Sequence, residues 1–209
     1  MKKRIVVVTA FICAIVLVSC TQNFPDILRS SDVLAKESTN AILYDNFSAA
    51  DTFDIAVSYA NRIESTEIFA TALNADKLSI SSIQHLPIYK FNTPDDVEQF
   101  KLTFGEQLTA GCGYDDIPSF HDEISKYDND FFEKKSLLLI YIGTNSGAYR
   151  FGVDSMFFDA SSVCIHIKQT NCPDELTDDM AGWFITIAIP DSMIANCTNF
   201  DAGLNNGAN

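Results

Sequence analysis

Few residues in this chain are suited to chemistry. Three histidines, His85, His121 and His166, could each serve as a general base. His85 precedes Leu86-Pro87, His121 falls in a long polar stretch and His166 lies in an alternating strand pattern, so no spacing selects one of them. A nucleophilic serine of the exposed-elbow kind requires Gly-x-Ser-x-Gly, whereas Asn145-Ser146-Gly147 has one glycine directly after the serine. Cys164-Ile165-His166 would place two ligands on one face of a strand with Cys172 nearby, but the second ligand pair that zinc usually takes is missing. No metal and no other cofactor is expected. The acidic groups Asp115-Asp116, Asp128-Asn129-Asp130 and Asp178-Asp179 lack the glycine and closing glutamate of a calcium loop and read as solvated loops. A phosphate-cradling glycine loop is absent from the sequence, which argues against nucleotide use. A carboxylate pair for polysaccharide hydrolysis could be chosen from 28 acidic residues, and that abundance selects none.

The N-terminus is the most explicit segment. Lys2-Lys3-Arg4 precede an apolar run, Ile5 to Val18, broken only by Thr9. That run is shorter than the roughly twenty residues a helix needs to cross a hydrocarbon core, so it reads as the h-region of a signal peptide. Leu17-Val18-Ser19-Cys20 resembles the lipobox of bacterial lipoproteins, which implies cleavage before Cys20 and lipidation of its sulfur. Residues 1–19 are expected to be the signal peptide. Cys20 would then hold the protein to the membrane on its extracytoplasmic face, because two or three acyl chains anchor far better than one. The peptide takes three basic residues and no acidic one, leaving eleven basic against 28 acidic residues. Such a chain is repelled by nucleic acid and by anionic headgroups.

Residues 20–51 are rich in Ser, Asn, Asp and Ala without a sustained period and are expected to form a flexible tether. Residues 52–197 suffice for one globular core, and 198–209 read as a polar tail. Within the core, alternation dominates. Phe53, Ile55, Val57 and Tyr59 share one strand face; 67–73 and 83–91 are further strand candidates, the second broken by Pro87. Thr93-Pro94-Asp95-Asp96 is a helix start, and Val97, Phe100, Phe104 and Leu108 continue it as one apolar stripe. Residues 112–130 read as a long loop. The run 137–142 is apolar throughout, as for a strand covered on both faces. After the turn 143–147, Tyr149, Phe151 and Val153, then Val163, Ile165 and Ile167, then Trp183, Ile185, Ile187 and Ile189 repeat with a period of two. The expected fold is a β-rich α+β domain: a mainly antiparallel sheet, as an open barrel or sandwich laid out as a meander, with one packed helix at about 94–108.

The segment 127–190 resembles the C-terminal domain of PrcB-like lipoproteins, accessory subunits of surface protease complexes. The resemblance is carried by Tyr127-Asp128-Asn129-Asp130-Phe131-Phe132, the strand 137–142, the turn Ser146-Gly147-Ala148-Tyr149 and the closing Ile189-Pro190. Thr-Gly-Gly-Tyr is usual in that family where this chain has Ser-Gly-Ala-Tyr. More broadly the chain is similar to lipoproteins of clostridia-like bacteria. The same turn invites comparison with chagasin-type cysteine-protease inhibitors, although their Asn-Pro-Thr-Thr-Gly-like loop lacks its proline and threonines here; Gly182-Trp183 could stand in for their later tryptophan loop.

These features lead to the expectation of a non-enzymatic, lipid-anchored module that binds another envelope or secreted protein. Its contact surface is expected at Ser146, Gly147, Tyr149 and Arg150. The alternatives are a small envelope hydrolase using a histidine and carboxylates, or a protease-inhibitor-like module. Four cysteines besides Cys20 remain after cleavage, Cys112, Cys164, Cys172 and Cys197, and outside the cytoplasm they permit two disulfides. Cys164–Cys172 is the favoured pair, with four free thiols as the alternative.

Overall fold

A computed structural model describes residues 42–63, 66–78, 84–109 and 117–205. The expected signal segment, Cys20, Cys112 and Asp115-Asp116 lie outside these residues.

Among the described residues nine strands make two sheets. The first holds β1 (Ile42–Asp45), β6 (Phe151–Phe158), β7 (Ser162–Gln169), β9 (Asn199–Asn205) and β3 (Gln84–His85), in that order. The second holds β2 (Asp54–Asn61), β8 (Ala181–Pro190), β5 (Lys135–Thr144) and β4 (Ile88–Phe91). The fold is therefore an α+β sandwich, mainly antiparallel and not closed into a barrel. β7 and β9 pair in parallel. β5 and β8 pair antiparallel although β6 and β7 intervene in sequence, so the chain alternates between sheets where a meander would stay in one.

The apolar run in β5 follows from burial on both faces. Leu138, Ile140 and Ile142 point into the sandwich with Trp183, Ile185, Ile187 and Ile189 of β8. Leu137, Leu139 and Tyr141 point the other way with Phe184, into a second core roofed by helices. Each such side chain contributes about 1.5–3 kcal/mol by leaving water. The roof includes α3 (Pro94–Thr109), whose Val97, Phe100, Phe104 and Leu108 are all buried as the stripe predicts. Its start is a reciprocal cap: Thr93 Oγ1 accepts from Asp96 N–H at 3.2 Å and Thr93 N–H donates to Asp96 at 3.0 Å. Non-helical backbone at Gly105 kinks it.

Several expectations are corrected. Residues 67–73 are not a strand: α2 (Thr66–Ala70) forms there, followed by a turn, because Ile68 and Ala72, four apart, both face the second core. The described part of the stretch 112–130 holds α4 (Phe120–Ile124) and the start of α5 (Asn129–Phe132), capped by Ser119 and Asp128. The buried Glu123 of α4 and Thr186 of β8 flank the Tyr127 hydroxyl at 3.0 and 3.2 Å, pinning this roof to the sheet. The folded body also extends past both expected limits. Residues 42–51, expected as tether, form β1 and most of α1 (Asn46–Thr52), with Ala49 buried. β9 takes most of the expected tail, burying Phe200 and Ala202. The last helix, α6 (Asp191–Ile194), closes β8.

Candidate functional site

The site forms where the chain crosses from one sheet to the other. β3 pairs His85 with Gly203 of β9. Leu86 N–H then donates to Ala202 C=O at 2.8 Å, and Pro87 C=O accepts from Tyr141 N–H at 3.1 Å. Pro87 has no N–H to give a ladder, so the pairing breaks there and resumes in β4. The anticipated interruption at Pro87 is thus a change of sheet.

This crossing buries His85 against a carboxylate. His85 Nδ1 lies 2.9 Å from Asp201 Oδ1, and the two side chains are 7 % and 9 % exposed. Asn74 donates to the same oxygen at 3.2 Å and to Leu86 C=O at 2.9 Å. Lys77 Nζ stands 3.5 Å from Asp201 Oδ2. A buried carboxylate needs such company, since taking an unpaired charge out of water costs several kcal/mol. The arrangement lets the imidazole donate from Nδ1 to Asp201, which orients the ring as a carboxylate orients a general base.

Beside the pair opens a cavity of about 370 Å³. Arg62, Phe69, Gln84, His85, Leu86 and Pro87 line it, and Arg62 Nη1 lies 3.8 Å from Met180 Sδ. Tyr141 supports it from below: its hydroxyl accepts from Ile63 N–H at 2.7 Å and donates to Ile63 C=O at 3.0 Å. Two glycines allow this close packing. A methyl at Gly143 would lie 3.0 Å from Tyr141 Oη, and one at Gly182 only 2.7 Å from Asn61 C=O. Among the described lining residues there is no serine, threonine or cysteine, so hydrolysis here would use water activated by His85.

The other histidines do not join this site. His121 is exposed on α4, 3.7 Å from its neighbour Asp122. His166 is half-buried on β7, with Ser155 Oγ 3.3 Å from Nδ1. Burial lowers its pKa, opposed in part by the charges of Asp154 and Asp201. The register sets His166 and His85 on either side of Gly203, roughly 10 Å apart at two strand spacings.

The turn expected as a contact surface is largely turned inward. Ser146 is fully buried, and its hydroxyl accepts from Ala148 and Thr177 N–H at 3.2 and 2.9 Å and meets Thr177 Oγ1 at 2.9 Å. Gly147, also buried, donates to Asp179 at 3.0 Å. Burial pushes the Asp179 carboxyl up, but hydrogen bonds from Thr177 and the backbone, with the Arg150 charge, outweigh it and hold the pKa low. Tyr149 packs against the sandwich core, and the Arg150 guanidinium lies 5.0 Å from the centroid of the Trp183 ring. Arg150 and Tyr149 are half-buried. These residues hold the turn to the 171–180 segment.

Cys164, Cys172 and Cys197 are free thiols, which corrects the expected Cys164–Cys172 bridge. The segment between the two is extended strand and not a turn: pairing continues to Thr170, which donates to Arg150 C=O, and Asn171 is tied to Ala148 and Arg150. Cys164 lies near the start of β7 and Cys172 three residues past its end, so at about 3.3 Å per extended residue they are separated by far more than the ~7 Å a disulfide spans between Cα atoms.

The sequence reading missed Asp201, Asn74, Lys77 and Arg62. Phe200, Ala202 and Leu204 alternate in the tail and would have marked a strand carrying Asp201. No local pattern marks the other three, which meet the site through the tertiary crossing. Comparison with known proteins adds no relative: no protein family, no curated protein and no solved structure matches the chain. Among the described residues no helix is long and apolar enough to cross a membrane.

Proposed function

We propose that the protein is a lipid-anchored module on the extracytoplasmic face of the membrane that binds another envelope protein through the open edge of the five-stranded sheet. The anchoring reading rests on Lys2-Lys3-Arg4, the apolar run and Leu17-Val18-Ser19-Cys20. The observation that carries the binding reading is β1. Among the described strands it pairs with β6 alone, and it bears Ile42 and Leu43 at 50 % and 45 % exposure. Leu43 stands directly opposite Phe157, itself 36 % exposed. A strand at the edge of a sheet with apolar side chains is a template for an added strand. The occupant is an extended segment of another protein, neutral or basic in charge, because this chain carries −14 and Asp45 sits on β1 itself. The resemblance of 127–190 to PrcB-like accessory lipoproteins points to the same kind of role.

A photo-crosslinking residue placed at position 43 of the full-length protein in its native envelope tests this. The expected result is a discrete adduct at 43 that is missing when the probe stands at Leu102, which is 73 % exposed on α3. Equal labelling at both positions, or none at 43, would overturn the reading.

The His85–Asp201 pair beside the cavity favours a second reading, a small hydrolase with His85 as base to a water. Turnover of chromogenic esters or glycosides that disappears in His85→Ala would support it; no turnover, or turnover indifferent to His85, would remove it.

A further inference from the structure

We infer that β1 selects an extended protein segment with a large apolar residue directly beside Leu43 and a basic residue two positions away on the same face. The inference rests on the β1-edge reading and names what that edge recognises. The hydrogen-bond register decides which backbone groups face outward. Asp159 N–H donates to Ser162 C=O at 3.0 Å, and bonded and non-bonded pairs alternate along antiparallel strands. Phe157 and Cys164 are therefore a bonded pair of β6 and β7, so Phe158 and Met156 turn their N–H and C=O toward Ile42 and Tyr44 of β1. Leu43 consequently directs its N–H and C=O away from β6, to the side where no described strand lies. A strand added there, in either direction, sets one residue beside Leu43 with its side chain on the same face as that of Leu43. This is the face turned away from the sandwich core, and the row it extends is Leu43–Phe157, 45 % and 36 % exposed. A large apolar side chain in that row covers both. Residues two positions on share the face, and one of them lies beside Asp45, exposed at the cap of α1. The chain carries 28 acidic against 14 basic residues, so lysine or arginine is favoured at that place and an acid is repelled. The opposite face selects less, because Tyr44 is already half-buried against Phe53 and Phe158, with ring centroids 5.1 and 5.7 Å away.

The test reads hydrogen exchange at the Leu43 amide of the full-length protein in neutral detergent, with α3 as reference. The probe is the capped heptapeptide Thr-Lys-Thr-Phe-Thr-Lys-Thr, whose phenylalanine and lysines share one face when extended. Near saturation it should slow Leu43 severalfold and leave α3 unchanged. Serine in place of its phenylalanine, or glutamate in place of both lysines, should weaken the peptide severalfold. Leu43→Thr or Phe157→Thr in the protein should do the same, each at an exposed position where threonine keeps the strand. N-methylation of the phenylalanine and of the threonine after it removes the N–H that meets Leu43 C=O in either strand direction, and should abolish protection at unchanged charge. Equal protection by the serine or glutamate peptide would overturn the inference and leave the edge reading standing. Equal protection by the N-methylated peptide would overturn it as adhesion of charge without an added strand. Protection that rises with protein concentration alone would overturn it by assigning the edge to a second copy. No protection by any peptide, with the adduct at position 43 still formed in the envelope, would overturn the inference alone.

Discussion

Removing the Asp201 carboxylate should destabilise the domain well beyond an ordinary surface change. The group is 9 % exposed and takes contacts from His85 at 2.9 Å, Asn74 at 3.2 Å and Lys77 at 3.5 Å. Asp201→Ala deprives the buried imidazole and amide of that acceptor, at about 1–3 kcal/mol for a buried donor. Asn74 keeps its bond to Leu86 C=O, which limits its share, and Lys77, one-third exposed, adds little. The expected loss is about 2–4 kcal/mol, or roughly 5–15 °C in midpoint for a domain of this size. Asp201→Asn keeps an acceptor and should lose about half as much. The chain has one tryptophan, Trp183, fully buried, so urea unfolding followed by its fluorescence reads the change directly. A double-mutant cycle with His85→Ala should return a coupling above about 1 kcal/mol. The exposed Asp178→Ala is the control, expected within about 0.5 kcal/mol. If Asp201→Ala falls within the same range as that control, the buried pair does not hold β3 to β9 and the reasoning about the site fails.

Other consequences are as direct. Because burial holds His166 below its ordinary 6.5, the unfolded chain takes up a proton that the folded chain refuses; stability is complete above pH 6.5 and declines from there toward the depressed folded value. His166→Gln should therefore flatten the midpoint-against-pH curve between pH 7.5 and 5.5, and parallel curves would contradict the burial argument. Gly182→Ala pushes a methyl to 2.7 Å from Asn61 C=O and should cost about 1–3 kcal/mol, measured by the same urea series; a neutral result would mean that β2 shifts without strain. Maleimide labelling of native protein should modify exposed Cys172 quickly and half-buried Cys164 slowly, since burial pushes the Cys164 thiol up. Failure of both to label without reductant would restore the disulfide.

The fold was legible where a segment's own pattern decides its environment. The stripe at Val97, Phe100, Phe104 and Leu108 sufficed for α3, and the unbroken apolar run of β5 announced a strand with a core on each face. Patterns failed where burial is one-sided and short. Ile68 and Ala72 are a single helical pair, too few to outweigh the β-like composition around them, and the caps Ser119 and Asp128 were passed over because each opens a helix of one turn. Sheet order could not be read, since β5 and β8 meet only after β6 and β7 have joined the other sheet. The site suffered most from this. His85 was visible as a residue, but its partner Asp201 lies 116 positions away, in a segment whose glycines and asparagines suggested a tail. At Ser146 turn chemistry is the same whether its polar groups face solvent or, as here, face the 171–180 segment.

The central claim, that β1 is the docking edge, is tested most directly by amide hydrogen exchange. Full-length protein would be exchanged in its native envelope and again after purification in detergent, and the peptide covering Ile42–Asp45 compared with one from α3. An added strand would hydrogen-bond the outward amides of β1, so exchange at Ile42–Asp45 should slow severalfold or more in the envelope while α3 stays unchanged. Identical exchange of β1 in both settings would contradict a partner at that edge.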